Sequence, residues 1–287
     1  MAQNKIKFRL QGHEKFALRE GWLSKGLTVI KEDPMVFRSK IAPDIFGIGN
    51  NMVKSLRYWM KAFGLMREEN ECGAILTSLG EIIYDNDVYI EDIFTVWTLH
   101  SYIAKNIEEA TTWYMYFNRC DVRDLNKEQI ELIIGREISK YVNGQTFSEQ
   151  SLKNDIDVLL NMYSRNREVS DPEDKNISPF SQLDIIKNID GLYTKNHPDR
   201  RKINAWNILY ELAVIMDGID SVSIEKVTNG EKSISSIYHL TNVVVNQLLD
   251  NLDSLGYIRV DRTAGLDMIY RMKDFTPESV MRDYYKK

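Results

Sequence analysis

Two stretches of the chain hold residue types that could do chemistry. The first is "GHEKFALREGWL", residues 12–23, where His13 and Glu14 are adjacent and Arg19 and Glu20 follow. An imidazole beside carboxylates and a guanidinium can move protons or activate water for phosphoryl transfer. His13, Glu14 and Glu20 are therefore the candidate catalytic residues; the competing reading is an N-terminal segment whose charges pair. The second is "DPEDK", Asp171 to Lys175, which has the carboxylates and lysine that a nuclease using Mg2+ or Mn2+ requires. It sits in "SRNREVSDPEDKNIS", residues 164–178, a polar stretch with a proline that reads as a linker without a rigid element to hold ligands. No Walker A loop, GxGxxG, HExxH or GxSxG occurs, so the standard nucleotide cradles and the serine-hydrolase elbow are excluded. Two cysteines and four histidines, scattered and without CxxC, do not make a zinc site, and free thiols are expected.

A third stretch could bind rather than react. In "GIGNNMVKSLRYWMKAFGLM", residues 47–66, Met52, Val53, Leu56, Trp59, Met60 and Phe63 fall at helical spacing and mark a core face. Asn50, Asn51, Lys54, Arg57 and Lys61 form a second, amide-and-cation stripe away from it. Asn pairs bidentately with adenine, and Lys and Arg address guanine or phosphate. The stripe is a candidate surface for duplex DNA; an ordinary solvated helix face is the alternative.

The elements around this helix suggest how it would be presented. "KIKFRL", residues 5–10, alternates like a short strand. "EGWLSKGLTVIKED" reads as a helix ended by Pro34, and "SKIAPDIFGIG" as a second helix with Ser39 as N-cap and Gly47 as stop. The stripe helix is third, and "LMREENECGAILT" is a hairpin. Three helices and a hairpin is the order of a winged helix-turn-helix, whose third helix enters the major groove. The middle of the chain is helical, and its aromatic run Trp113, Tyr114, Tyr116 and Phe117 lacks interleaved cations, which favours core over a base-stacking platform. Near the end, "TNVVVNQLLDNLDSLG" precedes two alternating strands, so a second helix-then-hairpin unit is expected. Asp250 and Asp253 on its helix would repel phosphate. "KNHPDRRK", residues 195–202, reads as a solvated basic loop. The expected fold is mainly α: an N-terminal winged helix-turn-helix with a helical bundle over 1–163, a linker over 164–178, and a C-terminal winged-helix-like unit with short hairpins over 179–287.

Charge supports an asymmetric molecule. The 287 residues carry 37 Lys/Arg and 42 Asp/Glu, a net charge of −5. Residues 1–67 hold 13 Lys/Arg against 5 Asp/Glu, and the remainder 24 against 37. The basic end would face a polyanion and the acidic end solvent or a protein; internal pairing of the two is the alternative. No apolar run of membrane-spanning length and no apolar N-terminal leader occurs, so a cytoplasmic protein is expected.

Gly12-His13-Glu14, Arg19-Glu20-Gly21-Trp22, Gly49-x-Asn51-Met52-Val53 and Arg57-Tyr58-Trp59, with "SPF" at Ser178 and "TAGL" at Thr263 to Leu266, resemble a bacterial family of unknown function. That family is found beside PAPS-reductase-like proteins in DNA phosphorothioation and phage-defence clusters, and it includes a DNA-nicking component. The resemblance implies duplex-DNA binding, strand nicking, and a sulfur-transferring PAPS-reductase-like or ATPase partner, but supplies no catalytic residues. A non-enzymatic adaptor and a transcriptional regulator remain as alternatives; the latter would need a dimer, and no dimerisation helix is evident.

Overall fold

In the computed structural model, residues 6–164 and 177–287 are described, apart from Ala264 and the side chain of Leu266. "DPEDK" and nearly all of the expected linker lie outside these residues. The chain is mainly helical, with small antiparallel sheets.

The N-terminal part follows the expected order. Helix α1 (Trp22–Glu32) buries Trp22, Leu23, Leu27 and Ile30. Helix α2 (Ala42–Phe46) has Ile41, not Ser39, at its N-cap position, with Pro43 in its first turn fixing the start; the Ser39 hydroxyl instead accepts the Ile41 N–H at 3.3 Å. Gly47 closes α2 in the left-handed conformation at φ 64°, and three residues later the stripe helix α3 (Asn50–Ala62) begins. Strands β1 (Met66–Glu69) and β2 (Gly73–Leu76) pair in antiparallel register, Met66 opposite Leu76. This hairpin packs on α1 and α3. The alternation of "KIKFRL" does not make a strand: residues 6–9 are irregular, because no strand lies beside them and their backbone bonds go to side chains. Tyr141 Oη donates to Lys7 O, Gln145 Nε2 to Ile6 O, and Arg9 N to Thr111 Oγ1.

The centre is a bundle of α4 (Ser78–Asp87), α5 (Ile93–Lys105), α6 (Thr111–Arg119), α7 (Lys127–Val142) and α8 (Glu149–Ser164). Thr77 and Asp92 cap α4 and α5, and Asn126 with Gln129 forms a complete capping box on α7. The aromatic run on α6 is core: Trp113, Tyr114, Tyr116 and Phe117 are all buried.

The C-terminal elements lie against this bundle. After a 3-10 turn at Pro179–Leu183, Phe180 stacks on Phe63 at 5.1 Å between ring centres. A hairpin of β3 (Ile186–Ile189) and β4 (Leu192–Lys195) follows, which the sequence reading did not foresee. Helix α9 (Ala205–Ile215) leads to β5 (Ser221–Ser223) and the short helices α10 (Ile224–Thr228) and α11 (Ile234–Tyr238). Helix α12 (Asn242–Ser254), capped by Thr241, precedes β6 (Ile258–Thr263) and β7 (Leu266–Arg271), with sheet order β5-β7-β6. Helix α13 (Pro277–Tyr285) returns to α9 and α4. "KNHPDRRK" is solvated in part: His197, Arg200 and Arg201 are exposed, with Arg201 paired to Asp199, whereas buried Lys195 Nζ donates to Cys120 O at 2.5 Å at the C-terminus of α6 and Lys202 Nζ reaches Gln182 O. Burial pulls the Lys195 pKa down to about 8.

His100 on α5 is wholly buried. Its Nε2 donates to Ile237 O at 2.8 Å and its Nδ1 accepts from Tyr163 Oη at 2.9 Å. Burial depresses its pKa from 6.5 to about 4. The unfolded chain takes up this proton first as pH falls, so the contribution of neutral His100 is complete above pH 6.5 and is lost toward pH 4. His239, also brought down to about 4 by burial, adds with the same sign. Urea denaturation should show a loss of about 3 kcal/mol from His100 across that window. A flat midpoint between pH 7 and pH 4.5 would contradict the buried neutral assignment.

Candidate nucleic-acid interface and the buried His13 node

The sequence placed two sets of residues on the N-terminal segment, and they part company in the structure. His13 is fully buried, whereas Glu14 and Glu20 are exposed. The three groups therefore do not share one environment. The backbone turns outward directly after His13, with Glu14 at φ 49° and Lys15 at φ 67°. Glu20 lies with Arg19, Gly21, Ser24, Tyr89, Glu91 and Gln182 around a cavity of about 450 Å³.

Both ring nitrogens of His13 are engaged. Nδ1 accepts the Lys15 N–H at 3.1 Å, so the ring proton sits on Nε2 and is donated to Asp155 Oδ1 at 2.8 Å. Asp155, on α8, also accepts Gln11 N–H at 2.7 Å on Oδ1 and the Thr112 hydroxyl of α6 at 2.6 Å on Oδ2. The imidazole lies flat on Trp59 of α3, ring centres 5.6 Å apart and planes 11° from parallel. Trp59 Nε1 in turn donates to Phe16 O at 3.2 Å. Gly12 belongs to the same arrangement, since a Cβ there would come within 2.4 Å of the Tyr58 ring. The "GHEKF" segment thus clamps the inner face of α3. Sequence reasoning missed Asp155, although it lies on the apolar stripe of α8 between Leu152 and Leu159, where an acidic residue needs buried donors.

The outer face of α3 carries the stripe as expected. Asn50, Asn51, Lys54 and Arg57 are exposed and Lys61 is half-buried. The stripe has two electrostatic halves. At its leading end Lys54 Nζ reaches only Asn51 Oδ1, at 3.4 Å, and pairs with no carboxylate among the described residues. At the trailing end Glu68, from β1, takes Arg57 through two bonds, Nε to Oε1 at 2.5 Å and a terminal nitrogen to Oε2 at 2.8 Å. Lys61 Nζ stands 3.7 Å from the same carboxylate. The hydrogen bonding raises the Arg57 pKa and lowers that of Glu68. Arg38 fastens the hairpin turn by donating to Glu69 O and Asn70 O.

Among the described residues no three Asp, Glu, His or Cys side chains converge as a metal-ligand set, and both cysteines are free thiols. No helix of the described residues is long and apolar enough to cross a membrane.

Residues 10–285 match the model of a family described as protein of unknown function, DUF4007. The chain belongs to that family. Two crystal structures share the fold of this DUF4007 protein, one of SspB and one of magnesium-ion-bound SspB. Each superposes with a TM-score of 0.83 at 21% identity, covering 96% of this chain and 86% of that chain. No curated protein matches. Membership agrees with the resemblance carried by the Gly12-His13-Glu14 and Arg19-to-Trp22 motifs, and at 21% identity the SspB likeness establishes fold.

Replacing Asp155 by Ala orphans three donors at once, two of them from the N-terminal segment. The expected loss is about 2–4 kcal/mol in urea denaturation. Thr112→Val, which removes one donor together with its hydrogen bond, should cost about 1 kcal/mol. Equal and small effects of the two variants would show that Asp155 does not organise the node.

Proposed function

We propose that this DUF4007 protein is a cytoplasmic, DNA-binding component of a phosphorothioation-related defence system. Its N-terminal unit would act as a winged helix-turn-helix, with α3 in the major groove and the β1–β2 hairpin as wing. The observation that carries this reading is the leading end of α3, where Asn50, Asn51 and Lys54 are exposed without an opposing carboxylate among the described residues. Asn50 and Asn51 would meet base edges and Lys54 a base or a phosphate, with Arg57 and Lys61 further along the backbone. Residues 1–163 would hold the DNA-facing unit. Residues 179–287, whose second helix-hairpin pair presents Asp250 and Asp253, would face a PAPS-reductase-like or ATPase partner. The shared fold with SspB supports placement in such a system.

Strand nicking belongs to the same proposal. In it the exposed Glu14 and Glu20 would be the groups able to meet a phosphodiester, and His13 would act by holding their segment. Mg2+ or Mn2+ would be the metal supplied. A second reading, an adaptor whose DNA contact is incidental, draws on the acidic balance of residues 68–287 and the capture of Arg57 by Glu68.

Lys54→Ala should weaken binding to a short duplex and lower the slope of log K against log salt by about one. An unchanged slope would remove α3 as the contact surface. With supercoiled plasmid and Mg2+ or Mn2+, conversion to the open circle should occur, stop with EDTA and be lost in Glu20→Gln. Salt-sensitive binding without nicking would leave the DNA-binding adaptor and move the chemistry to the partner.

A further inference from the structure

The stripe on α3 holds three cations, but one carboxylate engages two of them. Glu68 grips Arg57 with the parallel, two-bond geometry that a guanidinium also offers to phosphate, at 2.5 and 2.8 Å. Lys61 adds charge at 3.7 Å without a hydrogen bond. The carboxylate is the more enclosed partner: the Glu68 side chain is 19% exposed and that of Arg57 45%. The guanidinium is therefore accessible from solvent. The hairpin does not depend on the pair for its shape, because Arg38 holds its turn and four residue pairs set its register.

We propose that Glu68 is an internal stand-in for a DNA phosphate. In the free protein it occupies Arg57 and Lys61; on binding, a backbone phosphate replaces it in the cleft between α3 and β1. The proposal rests on the DNA-binding reading above and adds to it the place of one phosphate and a residue that sets affinity. Exposed ion pairs are weak and screened by salt, so a polyanion bringing several charges together can displace one. The exchange also tempers attraction to anions in general: the cations become available only where the rest of α3 has docked. The second helix-hairpin pair shows the opposite polarity. There the hairpin supplies the cation, Arg262, and α12 supplies Asp250 at 2.7 Å and Asn246 at 2.9 Å. A phosphate arriving at that unit would meet helix carboxylates.

The test is a double-mutant cycle on binding of a fluorescein-labelled duplex, using the full chain. Glu68→Gln should tighten binding about two- to fivefold, within the range spanned by a surface ion pair. In an Arg57→Ala background most of that gain should vanish. Glu71→Gln is the charge control, since Glu71 is exposed in the same hairpin turn and has no ion pair among the described residues. It should change affinity by less than twofold. Circular dichroism and thermal melting would confirm that each variant is folded. An equal gain with and without Arg57, matched by Glu71→Gln, would reduce the effect to general field and overturn the proposal. Weaker binding by Glu68→Gln would also overturn it, because Glu68 would then be a support for Arg57. If no variant binds DNA, the DNA-binding reading falls and the exchange falls with it; failure of the exchange alone appears as binding that is present and insensitive to Glu68.

Discussion

The buried carboxylate of Asp155 is the constraint on which the N-terminal architecture depends. A carboxylate removed from water needs donors in place of its hydration shell, and here they come from three places: the Gln11 backbone, the His13 ring and the Thr112 hydroxyl. Two belong to an irregular segment that has no strand to hold it. Bonding them to α8, with Thr112 bonding from α6, fixes that segment to the bundle. The flat face of His13 then lies on Trp59, and Phe16 O receives Trp59 Nε1–H. The orientation of α3 about its axis follows from these inner-face contacts, and with it the direction of the Asn50-to-Lys61 stripe. A histidine with solvent on one side could not do this. Its value here is two opposed, directional hydrogen bonds in a ring that also packs.

The same device fastens the C-terminal elements. Glu211 of α9 is buried and accepts from Ser101 Oγ at 2.5 Å, Lys105 Nζ at 2.8 Å and Tyr238 Oη at 2.8 Å, linking α5, α9 and α11. His100 links α5 to α8 and α11 through Tyr163 and Ile237. Lys195 closes the end of α6 from β4, where a cation suits the exposed carbonyls of a helix terminus. Such buried polar groups contribute little net stability against an apolar substitute. Their directional bonds discriminate between one docking of a helix and another, which an oily interface does less well.

What the sequence made legible was local. Helical spacing located α1, α3, α9 and α12, cap chemistry located Asn126 and Thr241, and the polar stripe on α3 is exposed as its spacing required. What was illegible was pairing at a distance. His13 and Asp155 are 142 residues apart, so nothing near His13 showed that its environment would be interior. "KIKFRL" has strand alternation, but a strand is made by a neighbour, and none is there. "KNHPDRRK" is solvated at His197, Arg200 and Arg201, but the burial of Lys195 at the end of α6 could not be read from composition. Glu68 is only 11 residues from Arg57, yet its effect on the stripe appears only when β1 folds back on α3.

This last pairing bears on the chain's uneven charge. A basic N-terminal stretch in an acidic protein need not give a basic surface, because each cation can be met by a carboxylate from the element packed beside it. Lys7 and Arg9 meet Glu108 and Glu109, Lys31 meets Glu81, and Arg57 meets Glu68. The partners of Lys7, Arg9 and Lys31 come from the central bundle. The sequence asymmetry therefore cancels in part on folding. Lys54, beside Asn50 and Asn51, does not take part in this cancellation among the described residues. A surface on which many cations are paired directs an anion to that end of α3 more selectively than a uniformly basic one would, because long-range attraction is weakened and a ligand that also fits the amides gains from close approach.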